Sequence, residues 1–517
     1  MSTAFQSWLK VCRALNTYVM PTYAPIDAEG NTISTPSQQP MVSAPPPKVL
    51  AQAKVLQPIR LRGLTLRNRV IRAAAFDGES EAEMVQTHVE QSKGGVGMTT
   101  VAYCCVDDDG LSFDGQLVVT EERLEFLTRL AAEVHKDGAA LSGQLTHGGA
   151  FADRESIGGR QQIAPSVVFN TAGIDFPRMM NDADLERIAN KFGESARIMQ
   201  QAGFDCIELH CGHGYLLSQF LSPYFNSRTD RYGGSAEKRA EFPAECLRRC
   251  RAAVGPDMPI IVKLNVHDGV FGGIELADAT VAAHVLADAG VDAIIPTVGH
   301  VSRNGFYMLR GNTPTEKLVQ ALPHTVKKIA MMIFGPLAAP EVEYEDCFLR
   351  DSARHILKEV GHKVPVVLMG GVNSFAQMQG AMEEGFEMVQ AARALIREPD
   401  LVNRMYATLA LQEEGRLPPL PDNPDQGRDI VSNCVRCNMC VIATVDPSAE
   451  FGCPFQRMDV KKRNAQNLPG ILDIDSLKSV ILEESQGTLA PNAVSACAAS
   501  DLRDIEDLMV TSQTPKL

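Results

Sequence analysis

The chain has 517 residues, 45% of them hydrophobic, and a formal net charge of -14 at neutral pH. That size and apolar content suffice for a large buried core, and the acidic balance counts against a nucleic-acid partner, because phosphate binding needs a concentrated basic face. No run approaches the roughly 20 apolar residues of a spanning helix, and the 13 cysteines, scattered mostly through apolar segments, suit a reducing compartment better than a secreted disulfide framework.

Residues 1–50 read as an extension and linker. The first 26 residues carry Lys10 and Arg13 and no acid, the sign pattern of a weak mitochondrial address, so that compartment stands as the alternative to the cytosol. The stretch from Asn31 to Pro47 is rich in Ser, Thr, Gln and Pro, a composition that resists both helix and strand. The closing Pro515-Lys516-Leu517 departs from a peroxisomal signal at its first residue and reads as a chance ending.

Between residues 51 and 415, apolar β-branched runs alternate with segments of helical period. The runs are Val70 to Ala75, Gly97 to Val106, Ala139 to His147, Phe204 to Cys211, Pro259 to Asn265, Val291 to Val298, Val364 to Gly371 and Glu387 to Ala392. Helical candidates lie between them at Glu121 to Lys136, Asp182 to Ala202, Ser235 to Val254, Leu276 to Ala289 and Phe375 to Glu384. This count predicts an α/β fold, a closed (β/α)8 TIM barrel, since an open doubly wound sheet has fewer strands and a Gly-rich turn after the first. An excursion from Gly299 to Arg350 follows the sixth strand, on the side where barrels place active-site loops. Residues 416–517 form a C-terminal segment with a cysteine motif and a polar tail.

Barrel chemistry gathers at the C-terminal ends of strands, so the polar residues there matter most. The third run ends with Gln144, whose side chain both donates and accepts. The fourth leads into Glu208-Leu-His-Cys-Gly-His-Gly-Tyr215, which sets His210, His213 and Tyr215 at one mouth, a cluster suited to hydrogen-bonding a carbonyl while a weak acid supplies a proton. Each His taken alone is equally well a hydrogen-bonded structural residue. The fifth run carries Lys263, and a cation inside a barrel requires a facing anion. Near the seventh and eighth ends, Gly370, Gly371 and Arg393 offer backbone donors and a cation for phosphate. Farther on, Cys434-x-x-Cys437-x-x-Cys440 followed by Cys453 has the spacing of a zinc site or a [4Fe-4S] cluster, or of free thiols left from an ancestral site.

The string from Glu208 to Pro223, continuing through Asn226-Ser-Arg-Thr-Asp-Arg-Tyr-Gly-Gly-Ser235, strongly resembles the active-site segment of the old yellow enzyme family. The resemblance spans roughly residues 55 to 410. It implies FMN as cofactor and NAD(P)H as reductant, with His210 and His213 binding a substrate carbonyl oxygen and Tyr215 donating a proton. It further implies that Ala74 and Ala75 let the flavin lie against the backbone and that Gln144 meets its pyrimidine edge. Lys263 would face N1 and O2, and Ala392-Arg393 with Gly370 and Gly371 would hold the phosphate. Three positions depart from the family pattern. Lys263 stands where Arg is usual, Phe76 where Thr or Cys is common, and Ala392 where Gly is expected. The cysteine spacing is similar to that of trimethylamine dehydrogenase and dienoyl-CoA reductase.

The reading that follows is an FMN-dependent oxidoreductase passing hydride from NAD(P)H to an α,β-unsaturated carbonyl compound, a small-molecule substrate. Two other readings stand beside it. One is an amine or dienoyl-CoA type dehydrogenase using an iron-sulfur site. The other is a non-redox lyase or isomerase built on Lys263.

Overall fold

The computed structural model describes residues 49–75, 80–170, 175–312, 314, 317, 319, 342–420, 429–444, 452–465 and 471–485. The N-terminal extension to residue 48, Phe76, much of the Gly299 to Arg350 excursion and the polar tail from 486 lie outside the described residues.

Eight parallel strands form the centre: β1 (Val70–Arg72), β2 (Met98–Cys105), β3 (Ala140–Thr146), β4 (Cys206–Cys211), β5 (Ile260–His267), β6 (Ala293–Val298), β7 (Val367–Leu368) and β8 (Met388–Ala391). Each neighbour pair from β6 back through β1 to β8 and β7 is hydrogen-bonded. A parallel bridge between Ile294 of β6 and Val366, just ahead of β7, closes the ring. Helices alternate with the strands: α1 (Glu81–Lys93), α2 (Leu124–His135), α3 (Asp182–Gln201), α4 (Ala236–Val254), α5 (Leu276–Asp288), α6 (Arg350–Val360), α7 (Phe375–Glu383) and α8 (Leu401–Glu413). The chain is therefore a (β/α)8 barrel, as its runs predict.

Local chemistry starts the helices where the chain needs them. Ser80 and Glu83 form a reciprocal capping box at α1, and Asn181 with Asp184 do the same at α3. In α2, Phe126, Leu127, Leu130, Ala131 and Val134 fall at helical spacing and are all buried against the sheet.

A hairpin the sequence reading did not anticipate, Ile59–Leu61 paired with Leu64–Leu66, sits ahead of β1. Leu61 and Leu66 are buried with Ile71, Met98, Ala140, Cys206, Ile261, Ala293, Val367 and Met388, residues from the starts of the barrel strands. The hairpin thus plugs the N-terminal mouth, and the polar chemistry is left to the opposite one.

Candidate active site

Every residue of β4 is buried. Strand alternation turns Glu208 and His210 to one face while Ile207 and Leu209 join the apolar layer beneath the helices. Beyond the strand the chain turns through His213, held at φ 58°, and Gly214 at φ 83°. A Cβ at Gly214 would come within 2.3 Å of the His300 ring, so glycine is required there. The turn delivers Tyr215 to the start of a short helix, Leu216–Leu221.

This geometry brings His210, His213 and Tyr215 together. The His210 ring lies 4.9 Å from that of His213 and 4.8 Å from that of Tyr215, centroid to centroid. Burial lowers the His210 imidazole well below its usual range and takes His213 down to about 3, so both rings are neutral at physiological pH. Burial also raises the Tyr215 phenol well above its ordinary value, with nearby Tyr103 adding to the shift. Tyr215 is therefore a protonated phenol beside two neutral imidazoles. Both ring nitrogens of His210 lack a hydrogen-bond partner among the described residues. His213 is more committed: its backbone N–H donates to Asn265 Oδ1 at 3.1 Å and its Nε2 stands 2.8 Å from Thr297 Oγ1.

Two aromatic walls flank Tyr215. Phe151 meets it edge-on, and Tyr103 stacks on it at 5.9 Å with the rings 15° from parallel. Tyr103 sits where the register of β2 against β3 shifts, with φ 53°. A bulge of this kind re-aims a side chain, and its left-handed backbone leaves no trace in composition or periodicity.

Sequence reasoning gave Lys263 a flavin as its counter-ion; the anion that faces it is Glu208. Lys263 Nζ lies 3.0 Å from Glu208 Oε1, both side chains being almost wholly buried. Gln144 Nε2 donates to the same oxygen at 2.6 Å, and Gln390 Nε2 from β8 donates to Oε2 at 3.1 Å. Strand reasoning alone could not name Glu208 or Gln390, because nothing local shows which strands meet across a barrel.

The residues fit FMN on an observation independent of resemblance. Gln144 Oε1, Gln390 Oε1, Thr100 Oγ1 and both His210 nitrogens are buried with no partner among the described residues. Orphaned buried polar atoms are costly, and a planar ring offering N–H donors and carbonyl acceptors would satisfy them. Ala74 and Ala75 are half-buried at the exit of β1. Gly370 and Gly371 adopt φ of 90° and 82°, and a Cβ on either would collide with the segment holding Cys347 and Leu349. Arg393 follows Ala392 at the end of β8, its NH1 donating to Arg310 O at 2.9 Å and Asn438 Oδ1 at 2.6 Å.

Asn438 belongs to the cysteine segment, so that segment reaches the end of the barrel where Arg393 follows β8. Its thiols are electrostatic neighbours: Cys440 is pushed up to about 12 by burial, with Cys453, Cys434 and Cys437 contributing. Among the described residues, however, no group of three or more His, Cys, Asp or Glu side chains is arranged to hold a metal ion. Nor, among the described residues, is any helix long and apolar enough to cross a membrane.

Residues 54–314 match the model of the NADH:flavin oxidoreductase / NADH oxidase family. The chain is 36% identical over 407 residues to 4,4'-dithiodibutanoate disulfide reductase from Rhodococcus erythropolis, covering 78% of this chain and 94% of that protein. It is 29% identical to NADH:fumarate oxidoreductase from Klebsiella pneumoniae, covering 68% of this chain but only 36% of that longer protein. Among solved structures, 2-naphthoyl-CoA reductase with 2-naphthoyl-CoA superposes at TM-score 0.62 and 23% identity, covering 78% of this chain and 57% of that one. An old yellow enzyme homologue from Zymomonas mobilis superposes at 0.54 and 20% identity, covering 69% and 93%. These two structural likenesses bear on the fold.

Proposed function

Because the chain belongs to the NADH:flavin oxidoreductase / NADH oxidase family of FMN-dependent enzymes, we propose that its barrel mouth reduces α,β-unsaturated carbonyl compounds at the expense of NAD(P)H. The observation that carries this reading is the packing of one neutral phenol against two neutral imidazoles, His210 with both ring nitrogens unpartnered. Bound FMN supplies hydride acceptance from NAD(P)H and hydride delivery to the β-carbon. His210 and His213 donate hydrogen bonds to the carbonyl oxygen, which draws charge from the alkene. Tyr215 gives its proton to the α-carbon. Gln144 and Gln390 hold the pyrimidine edge, Lys263 with Glu208 fixes the electrostatics beneath it, and Ala74 and Ala75 allow close approach at the backbone. Gly370, Gly371 and Arg393 take the phosphate.

A second electron acceptor is favoured by the relative from Rhodococcus erythropolis, which is named as a disulfide reductase. The same groups serve that chemistry: hydride attack on one sulfur breaks the S–S bond, and Tyr215 protonates the departing thiolate. The lyase or isomerase reading loses its support, since Lys263 is committed to Glu208 and the family is one of flavin oxidoreductases. The compartment we propose is the cytosol, a reducing one that suits the cysteine usage. The C-terminal segment braces the barrel through Asn438, and its four cysteines stand outside the electron path.

The test is anaerobic. Purified protein supplied with FMN should be bleached by NAD(P)H and reoxidised by cyclohexenone or by a dialkyl disulfide, the faster acceptor deciding between the two readings. Folded protein that fails to bind FMN in excess would sink both.

A further inference from the structure

The segment from His210 to Ser222 carries all three side chains proposed as reactive, and a buried carboxylate after β5 meets it directly at Ser222 and through Asn265 at His213. Asp268 lies just past β5 and is fully buried. Its Oδ1 accepts from Asn265 Nδ2 at 2.7 Å, and Asn265 Oδ1 in turn accepts the backbone N–H of His213 at 3.1 Å. Its Oδ2 accepts from the Ser222 hydroxyl at 2.7 Å and the Ile274 N–H at 2.9 Å. Ser222 caps the C-terminal end of the helix that Tyr215 begins.

We infer that Asp268 is the positioning residue of the reactive turn, fixing His213 through Asn265 and Tyr215 through Ser222. The inference rests on the roles proposed above for those two side chains. Its logic begins with the amide. Asn265 can present either end to His213, and only the oxygen end bonds a backbone N–H. Asp268 and the Gly299 carbonyl, 2.8 Å from the same Nδ2, both demand the NH2 end, so the oxygen is left for His213. His213 occupies a left-handed backbone conformation at φ 58°, which costs free energy and persists only where its surroundings enforce it.

A carboxylate that accepts three donors does this work only while ionised. Protonation removes the negative charge that strengthens the bonds from Asn265, Ser222 and Ile274 and adds a hydrogen among theirs, which loosens the hold on all three. Among the described residues no Lys, Arg or His forms an ion pair with Asp268. The charged and titratable groups around it are Glu275, which pairs with His267 at 2.9 Å, then Tyr307 and His300 on the β6 side, and Arg239, which binds Leu221 O beside Ser222. Burial, reinforced by Glu275, raises Asp268 to about 6, above its ordinary 3.8. The rings of His210 and His213 are already neutral there, so this carboxylate is the buried group of the turn that changes charge.

The test uses FMN-loaded enzyme and a phenol acidic enough to stay ionised from about pH 8 to about pH 5, its affinity read from the flavin spectrum. Wild-type affinity should fall as pH drops through about 6, because the ionised form holds the turn. Asp268→Asn should bind about 10- to 100-fold more weakly at pH 8 and show no inflection, with FMN still bound. A wild-type affinity and pH profile in Asp268→Asn would overturn the inference. Should that variant not retain FMN, Ser222→Ala decides: losing one donor to the carboxylate should move the inflection up, and an unmoved inflection overturns the idea. Tyr215→Phe run in parallel separates the failures. If it turns over enone normally, the proposed roles of the turn are wrong; if it is slow while Asp268→Asn behaves as wild type, only the positioning role is.

Discussion

At the scale of single residues, the proposed function gives Tyr215 the part of proton donor and Glu208 that of electrostatic floor. Tyr215 touches His210, Tyr103 and Phe151, and no flavin-binding role is assigned to it. Tyr215→Phe should therefore leave anaerobic flavin reduction by NAD(P)H near the wild-type rate and slow reoxidation by an enone by about 10²- to 10⁴-fold, the usual worth of a general acid. Stopped-flow measurement of the two half-reactions checks this; equal slowing of both would remove the proton-donor assignment. Glu208 makes a different prediction. Truncating one partner of a buried ion pair strands the other charge, at about 3 to 5 kcal/mol. Glu208→Gln leaves Lys263 without its anion in the barrel centre, so urea unfolding of the apoprotein should show a loss of that order. A loss under about 1 kcal/mol would mean that water or a shifted side chain compensates Lys263. His210, His213 and Tyr215, the residues proposed as reactive, could be picked out of the sequence because they sit within six positions of one another in a string that resembles the old yellow enzyme active-site segment. Glu208 was not, although it stands two residues from His210, because its meaning lies in Gln144, Lys263 and Gln390 on three other strands.

At the scale of elements, what was legible followed from period and what was hidden followed from tertiary satisfaction. The strand runs were readable because both faces of a barrel strand are buried, which leaves near-continuous apolar stretches. Helix α1 was not anticipated, and its buried face explains why: Met84 is joined there by His88, Gln91 and Ser92. His88 Nδ1 lies 2.8 Å from Thr99 Oγ1, Gln91 donates to Leu395 O and Ser92 to Val134 O. A helix that buries hydrogen-bonding polar side chains shows no apolar stripe. The hairpin ahead of β1 escaped notice for another reason, since its strands are only three residues each. Its importance is energetic. Leu66, about 1% exposed, reaches into the first layer of the barrel, and Leu66→Ala should cost about 2 to 5 kcal/mol through lost burial and the cavity left behind. Because the plug lies at the mouth opposite His210, flavin reduction by the folded variant should be unchanged. A thermal melt paired with that rate tests both halves, and a rate loss without a stability loss would contradict the separation of the two ends.

On the scale of the whole molecule, the described residues of the C-terminal segment are bound closely to the barrel. Asn438 grips Arg393, Arg397 pairs with Asp459 at 2.7 Å, and Leu472 donates its N–H to Asp400 Oδ2 while its carbonyl accepts from Asn403 Nδ2. Leu472, Leu477 and Val480 bury themselves against Ala407 of α8. None of these contacts passes through sulfur, so the segment's hold on the barrel and its cysteines are separable. Asn438→Ala should release the Arg393 guanidinium from its 2.6 Å bond and weaken FMN retention, visible as faster loss of flavin on gel filtration. Cys437→Ser should leave both FMN retention and NAD(P)H-driven flavin reduction close to wild type. Iron and zinc analysis of protein purified without air completes the comparison. Stoichiometric iron in the wild type, together with loss of flavin turnover in Cys437→Ser, would place the thiols in the electron path and show that Asn438 carries a cluster loop against the flavin rather than a brace.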